Sequence, residues 1–345
     1  MNIVKVISDL INQDITYMFL LSATAPEAYS TFYINKKSGG IREISQPSKE
    51  VKEVQYVIIK EILSKLPVHE CAKAYKKGVG IKQNAVEHLN KEFILKTDFS
   101  NFFPSIKPAD LEYYFKKNNI EINNLEFDII SKILFKKKEN SNKLELCIGA
   151  PSSPIISNIV MYEIDELLYS HCKERNISYT RYADDMTFSS NSIEDLKEIL
   201  STLKKVIIKN KNPELILNQK KTRLISSGRS RRVTGVILSN EGKLSVGRTK
   251  RRRTRTLLHL LSKSSIDDKS IIELYSNISF IRNIEPEFYQ KLLSTHGQST
   301  FNKLNKSFQS LIEKNTDNNG FTWRFGINGD SLVKKVIYED DDIQF

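Results

Sequence analysis

Two adjacent carboxylates, Asp184 and Asp185, close the tetrapeptide Tyr182-Ala183-Asp184-Asp185, which lies between the apolar run 177–181 and Met186-Thr187-Phe188. This pattern predicts a tight β-hairpin with two acids at its turn. Two unit charges of one sign about 4 Å apart repel by roughly 4 kcal/mol at an effective dielectric near 20. A turn that only reversed the chain would use Asn-Gly or Asp-Gly. A divalent cation is the natural neutraliser. With a third acid supplied by another strand, such a pair can hold two Mg²⁺ ions for phosphoryl transfer. Asp98 is the candidate third acid: residues 93–99 read as an apolar strand that ends at a carboxylate, and residues 100–106 turn and bring aromatic rings just downstream. Because strand side chains alternate between faces, Asp98 and Asp184 rank as the principal ligands and Asp185 as nearer the periphery. Taken alone, an Asp-Asp pair is as well explained by a solvated turn, so the assignment depends on the rest of the chain.

The chain has 345 residues and a formal charge of +12, enough length for a sizeable core split into two or three subdomains. The charge favours a polyanionic partner, and it is concentrated in residues 248–255, which carry Arg248, Lys250, Arg251, Arg252, Arg253 and Arg255, after Arg229, Arg231 and Arg232. A charge run is usually a solvated face or a loose arm. Here Leu257, Leu258, Leu260 and Leu261 follow directly, which predicts a packed helix that presents basic turns to phosphates. Cys71, Cys147 and Cys172 form no CxxC pair, and no histidine belongs to an HExxH pattern, so neither a disulfide framework nor a structural zinc site is expected. The apolar stretch 17–25 follows Asp9 and Asp14, has no basic leader and is too short to span a bilayer. A reduced, cytoplasmic protein with no membrane partner is expected.

The elements that must position the acids are readable in outline. The first twenty or so residues look helical, and residues 29–45 look like a hairpin turned at Ser38-Gly39-Gly40 and flanked by Lys36, Lys37 and Arg42. A helix is predicted over 48–66, with Val51, Val54, Ile58 and Ile62 on one face and Pro67 ending it. Another is predicted from Pro154 through Leu168, and a third from Ser192, whose spacing to Asp195 resembles a capping box. Strands and helices alternating around the acids suggest an antiparallel sheet with helices on one face, an α+β fold. Beyond Val246 the pattern is helical to about Lys314. The acid run 339–342 reads as a solvated or partner-facing end.

Residues 95–106, Gly149-Ala150-Pro151-Ser152-Ser153-Pro154, Arg181 to Asp185, Leu217-Asn218-Gln219-Lys220-Lys221-Thr222 and Gly235 follow the order and rough spacing of the reverse-transcriptase motifs. Asn84-Ala85-Val86-Glu87-His88 resembles the NAxxH element, and Val233-Thr234-Gly235 the VTG element, of bacterial retron reverse transcriptases. The chain is therefore similar to that family over about residues 33–261. The resemblance implies a right-hand polymerase with fingers, a ferredoxin-like palm and a helical thumb. It divides the chain into N-terminal helices and fingers (1–96), palm (97–246, with a fingers insertion at about 107–147), thumb (247–314) and tail (315–345).

It further implies that Asp98, Asp184, Asp185 and the Phe99 backbone carbonyl hold two Mg²⁺ ions, with Mn²⁺ as an alternative, and that Lys36 or Lys37 and Arg42 bind the triphosphate, Arg42 through a fork-like donor set. Phe103, five residues after Asp98, matches a steric gate against the sugar 2′-hydroxyl. Gly149 and Ala150 line the nucleotide pocket with their backbone, although Ile148 stands where many relatives carry Gln. Either Lys220 or Lys221 protonates the departing pyrophosphate. Asn84, His88, Val233, Thr234 and Gly235, with the basic helix, match RNA-recognition elements, and structured RNA is read through shape, 2′-hydroxyl and phosphate contacts. Each of these residues also has an ordinary structural explanation, as core ring, satisfied histidine or solvated lysine.

The implied activity is RNA-directed DNA synthesis on a cognate structured noncoding RNA. Priming from a guanosine 2′-hydroxyl would give branched RNA-linked single-stranded DNA (msDNA), made from deoxynucleoside triphosphates. A separate ribonuclease H would remove template, and an effector protein would act with the enzyme in anti-phage defence. A group II intron-like or other bacterial reverse transcriptase with 3′-hydroxyl priming, and a non-catalytic RNA-binding scaffold, are the alternatives.

Overall fold

Short β-rich segments ending in polar turns assemble the sheet that carries the acids. The computed structural model describes residues 3–36 and 39–314, together with the backbone of Phe321–Phe325 and Leu332–Val336. The chain divides into two compact units, residues 1–76 with 91–226 and residues 77–90 with 227–345.

In the first unit, four antiparallel strands lie in the spatial order Arg223–Ile225, Phe93–Thr97, Asp185–Ser190, Ser178–Tyr182. The helices Tyr162–Glu174 and Ile193–Lys209 pack on the sheet and on one another. The second of these is capped as its sequence suggests, Ser192 accepting from the Asp195 amide at 3.2 Å. Its Leu196, Ile199 and Leu203 are buried, and this spacing puts them on one face. The sheet faces that helix layer through rings as well: Tyr179 and Phe188, which are cross-strand partners, stack with centroids 4.6 Å apart.

The hairpin Tyr29–Asn35 with Ile41–Pro47 forms as predicted. The helix after it covers Lys49–Glu61, capped by Ser48, and ends in a 3₁₀ turn at Leu63–Lys65 before Pro67. Helices Ile3–Leu10 and Ile15–Thr24 pack with Asn124–Leu134 at the N-terminal end of this unit. The helix expected from Pro154 through Leu168 is instead two, Ser153–Val160 and Tyr162–Glu174, meeting at Met161. The apolar periodicity runs through the junction, and a pattern of buried positions does not register a change in helix direction.

In the second unit, Arg231–Val233, Val236–Leu238 and Leu244–Ser245 make a three-stranded antiparallel sheet. The short helix Ile81–Val86 packs against it. Three helices follow, Arg248–Ser262, Asp268–Ile284 and Pro286–Lys314, the last broken at Gly297 where φ is +75°. The predicted helical character beyond Val246 is thus found. The acid run 339–342 lies outside the described residues.

Candidate active site

Strand register brings the acids together. Thr97 pairs with Met186, so the next step of the ladder sets Asp98 across from Asp185. Tyr182 pairs with Asp185, which leaves Ala183 and Asp184 as a two-residue loop. Ala183 takes φ +57°, a left-handed conformation that hairpin turns of this length demand. Asp184 therefore sits in the turn and not on a strand. The alternation argument does not apply to it, and Asp185 is no outlier: it faces Asp98 directly.

The electrostatics agree. Burial, then the Asp98 and Asp185 carboxylates, push Asp184 up to about 6. Burial also raises Asp185, with Asp98 adding to the shift and Lys96 opposing it. Asp98 is 4 % exposed, and its Oδ1 has no hydrogen-bond partner. Its Oδ2 accepts from Lys221 Nζ at 2.8 Å. Three clustered acids, one with an orphaned buried oxygen, suit hard divalent cations. No set of three His, Cys, Asp or Glu among the described residues is closed up into a ligand cage; the cation present on the acids is the Lys221 ammonium.

Lys221 is held there by its backbone. Phe99 pairs with Leu217, the Asn218 amide donates to the Asp98 carbonyl at 2.8 Å, and the Lys221 amide donates back to Asn218. Although partial desolvation opposes its charge, the hydrogen bond to Asp98 and the neighbouring acids raise its pKa overall. Lys220 is exposed. Of the two lysines, Lys221 is the one that bonds Asp98.

Among the aromatic residues after Asp98, the core ring is Phe102, 3 % exposed and stacked on Phe99. Phe103 is half-buried and meets Phe102 edge-on with centroids 5.5 Å apart. Gly149 has φ +120°, and a Cβ there would lie 2.7 Å from the Ser45 carbonyl oxygen. The Ser45 amide donates to the Ile148 carbonyl at 2.8 Å. Close approach of the 29–47 hairpin thus accounts for glycine at 149, and Ala150 is 4 % exposed. Lys36 and Arg42 are exposed at the hairpin, while Lys37 lies outside the described residues.

Sequence reasoning missed the polar core behind the turn. Arg181 is fully buried and ion-pairs with Asp165, its Nε donating at 2.9 and 3.0 Å and its NH2 at 2.6 Å. Its NH1 donates to the Asn158 side chain and to the carbonyl of Ala183, both at 3.1 Å. Tyr179 adds a hydroxyl bond to Asp165 at 2.8 Å. Burial works against the guanidinium, but Asp165 outweighs it and keeps the group above its ordinary pKa. This network grips the turn from inside. The available signal was an acid at position 165, in register with the apolar stripe of Met161, Ile164 and Leu168.

In the second unit, the NAxxH and VTG elements meet each other. Thr234 and Gly235, with φ +44° and +87°, form the turn between Arg231–Val233 and Val236–Leu238. Asn84 Nδ2 donates to Thr234 Oγ1 at 3.3 Å, and Thr234 donates to the Ile81 carbonyl at 3.4 Å. Asn84 is 1 % exposed and His88 and Val233 are fully buried. Expected RNA contact by those three side chains is thereby corrected to a structural part, because a buried side chain offers nothing to RNA. Thr234 and Gly235 remain near the surface.

The basic helix divides in the same way. Lys250 bonds Asn277 at 2.6 Å, and Arg251 bonds the buried Glu285 at 2.5 and 2.8 Å while lying over Phe288. These two cations brace the helices. Arg253 pairs with Glu273 at the surface, and Arg255 lies over Phe288. Arg248 and Arg252, one turn apart, line a cavity of about 380 Å³ with Thr249, Arg253 and Thr256.

Residues 34–238 match the family model described as reverse transcriptase (RNA-dependent DNA polymerase). With its antiparallel sheet, flanking helices and paired acids, the chain belongs to that family and is an RNA-directed DNA polymerase that works on nucleic acid. Within it, the chain groups with the retron enzymes. It is 36 % identical to the retron Ec83 reverse transcriptase of Escherichia coli, covering 83 % of this chain and 93 % of that one. It is 36 % identical to the retron Ec73 enzyme (78 % and 87 %) and 30 % identical to the retron Ec86 enzyme (80 % and 82 %), both of Escherichia coli. Among solved structures, it is similar to apo telomerase from Candida tropicalis at 12 % identity and a TM-score of 0.45, covering 84 % of this chain and 65 % of that one. Similarity to a foamy viral protease-reverse transcriptase with an RNA/DNA hybrid gives 13 % identity and a TM-score of 0.43, covering 88 % and 36 %. The family uses divalent metal ions. No helix among the described residues is long and apolar enough to cross a membrane.

Proposed function

We propose that this chain is the polymerase of a retron: it binds one structured noncoding RNA and copies part of it into msDNA, priming from a guanosine 2′-hydroxyl, in a system that defends against phage with an effector protein. The observation that carries the catalytic part is the convergence of Asp98, Asp184 and Asp185, two of them raised by burial and mutual repulsion. The retron part is supported by the relatives and by the joined NAxxH and VTG elements.

In this reading the three acids, with the Phe99 carbonyl, hold two Mg²⁺ ions, which supply charge neutralisation for the attacking hydroxyl and the triphosphate. The chain's own groups do the rest. Arg42, with Lys36 and Lys37, takes the β- and γ-phosphates. Phe103 crowds the sugar 2′ position and so selects deoxynucleotides. Lys221 leaves Asp98 for the departing pyrophosphate and gives it a proton; until then the acids keep it charged. Arg248, Arg252, Arg253 and Arg255 offer phosphate contacts to the RNA. Fingers, palm and thumb would follow the division 1–96, 97–246 and 247–314. Template removal would fall to a separate ribonuclease H, and the reaction would take place in the cytoplasm.

The test is synthesis by purified protein with its copurified RNA, Mg²⁺ and deoxynucleotides. DNA should form and Asp184→Asn should abolish it. Equal synthesis by wild type and variant would remove the site assignment. Debranching enzyme should release the DNA from RNA; a product unaffected by debranching would favour 3′-hydroxyl priming.

A further inference from the structure

Tyr75 lies three residues beyond Ala72, in a segment that the sheet edge fixes in place. Ala72 bridges Arg181 in parallel, the Arg181 amide donates to Cys71 at 2.9 Å, and the Lys73 amide donates to Arg181 at 2.8 Å. Asn158, which accepts from Arg181, donates its other end to the Ala74 carbonyl at 3.0 Å. The interior network that grips the catalytic turn therefore also grips the residue next to Tyr75. Where that anchoring ends, Tyr75 takes φ +61°. For a bulky residue this is an unfavoured conformation, costing on the order of 1–2 kcal/mol, and such strain persists where the surroundings over-determine it, often at functional sites.

The strained backbone turns a large ring outward: Tyr75 is 41 % exposed. Partial burial, then the charge of Asp184 and the neighbouring Tyr182, raise its phenol, while Arg181 and Arg42 pull the other way. Asp184, Tyr182 and Arg42 are thus within electrostatic reach of the phenol. A core-packing role would not leave it exposed, and a surface role would not require a left-handed backbone at the end of an anchored segment.

We propose that Tyr75 is a binding residue for the nucleotide unit at the acids, its ring providing an apolar face for the sugar and base. The inference rests on the active-site reading given above. The same chemistry is offered by two sources, the incoming triphosphate and the terminal nucleotide of the primer. Stacking of a base on an aromatic ring corresponds to roughly 5- to 150-fold in affinity.

The test uses Tyr75→Gly and Tyr75→Phe in the full chain, with a synthetic RNA template annealed to a DNA primer and deoxynucleotides. Glycine accepts φ +61° without strain, so it removes the ring while keeping or raising Tm. The expected result is a rise of about tenfold or more for Tyr75→Gly in one of two constants, with kcat changed less than about threefold and Tyr75→Phe near wild type. A rise in KM for the deoxynucleotide assigns the ring to the incoming unit; a rise in the Kd of the primer–template assigns it to the primer end. Wild-type values of both constants in Tyr75→Gly would overturn the proposal, as would a lowered Tm in that variant or an equal loss in Tyr75→Phe. Asp184→Asn measured alongside keeps the two readings apart: if it silences synthesis while Tyr75→Gly binds as wild type, only the Tyr75 inference fails.

Discussion

Asp184 has a folded-state pKa near 6, set by burial and then by Asp98 and Asp185, against an ordinary value near 3.9 in the unfolded chain. A carboxyl raised on folding binds more protons in the native state, so stability is lost as pH rises through the interval from about 4 to 6 and stays lost above it. Asp184→Asn removes that penalty. With metal chelated, the variant should melt higher than wild type at pH 7.5, by about 1–2 kcal/mol after allowance for solvent screening, and the difference should vanish near pH 4. A variant that melts lower than wild type across the range would show that the acids do not repel. The neighbouring ring gives a second expectation. Phe103→Ala should lower the preference for deoxynucleotides over ribonucleotides in kcat/KM by about tenfold or more, since a steric gate acts by exclusion; an unchanged ratio would return Phe103 to the packing of Phe102.

Among the elements, the catalytic hairpin is stiff for reasons lying behind it. Arg181 is held by Asp165 and Asn158, and it holds the Ala183 carbonyl. Removing one partner of a buried ion pair typically costs about 3–5 kcal/mol, so Asp165→Asn should lower stability on that scale, seen as a shift of the urea midpoint. Gly149→Ala should also destabilise, by about 1–3 kcal/mol, because a Cβ would meet the Ser45 carbonyl oxygen at 2.7 Å in a backbone with φ +120°. These elements also mark what could be read beforehand. The acid-bearing turn, the 29–47 hairpin and the Ser192 cap were legible because each is encoded within a few residues. The Arg181 network was not, since its parts come from positions 158, 165 and 181 and each alone reads as an ordinary polar residue. The break at Met161 was hidden by an apolar stripe that continues across it. Asn84 and Thr234 were singled out as separate RNA contacts, and nothing local says that positions 150 apart bond to one another.

For the whole molecule, a charge of +12 does not mean twelve phosphate contacts. Lys250 and Arg251 are engaged with Asn277 and Glu285, whereas Arg248 and Arg252 face an open cavity. Arg248→Ala combined with Arg252→Ala should weaken RNA binding and reduce the slope of log K against log salt by about 1–2, with little change in Tm. Arg251→Ala should do the reverse, lowering Tm first. A salt slope unchanged by the double substitution would move the RNA grip elsewhere.

The second unit is discontinuous: Lys77–Asn90 belongs with a segment that begins only at Ser227, 137 positions after Asn90. At translation rates of about 5–20 residues per second, the helix Ile81–Val86 leaves the ribosome roughly 7 to 30 s before the strands it packs against. During that interval Asn84, Ala85 and His88, interior in the finished protein, have no covering surface, while the first unit's residues 91–226 are being made. A nascent chain arrested near residue 226 should therefore be cut by protease within 77–90, and one arrested late enough for Ser245 to have left the ribosome should be protected there.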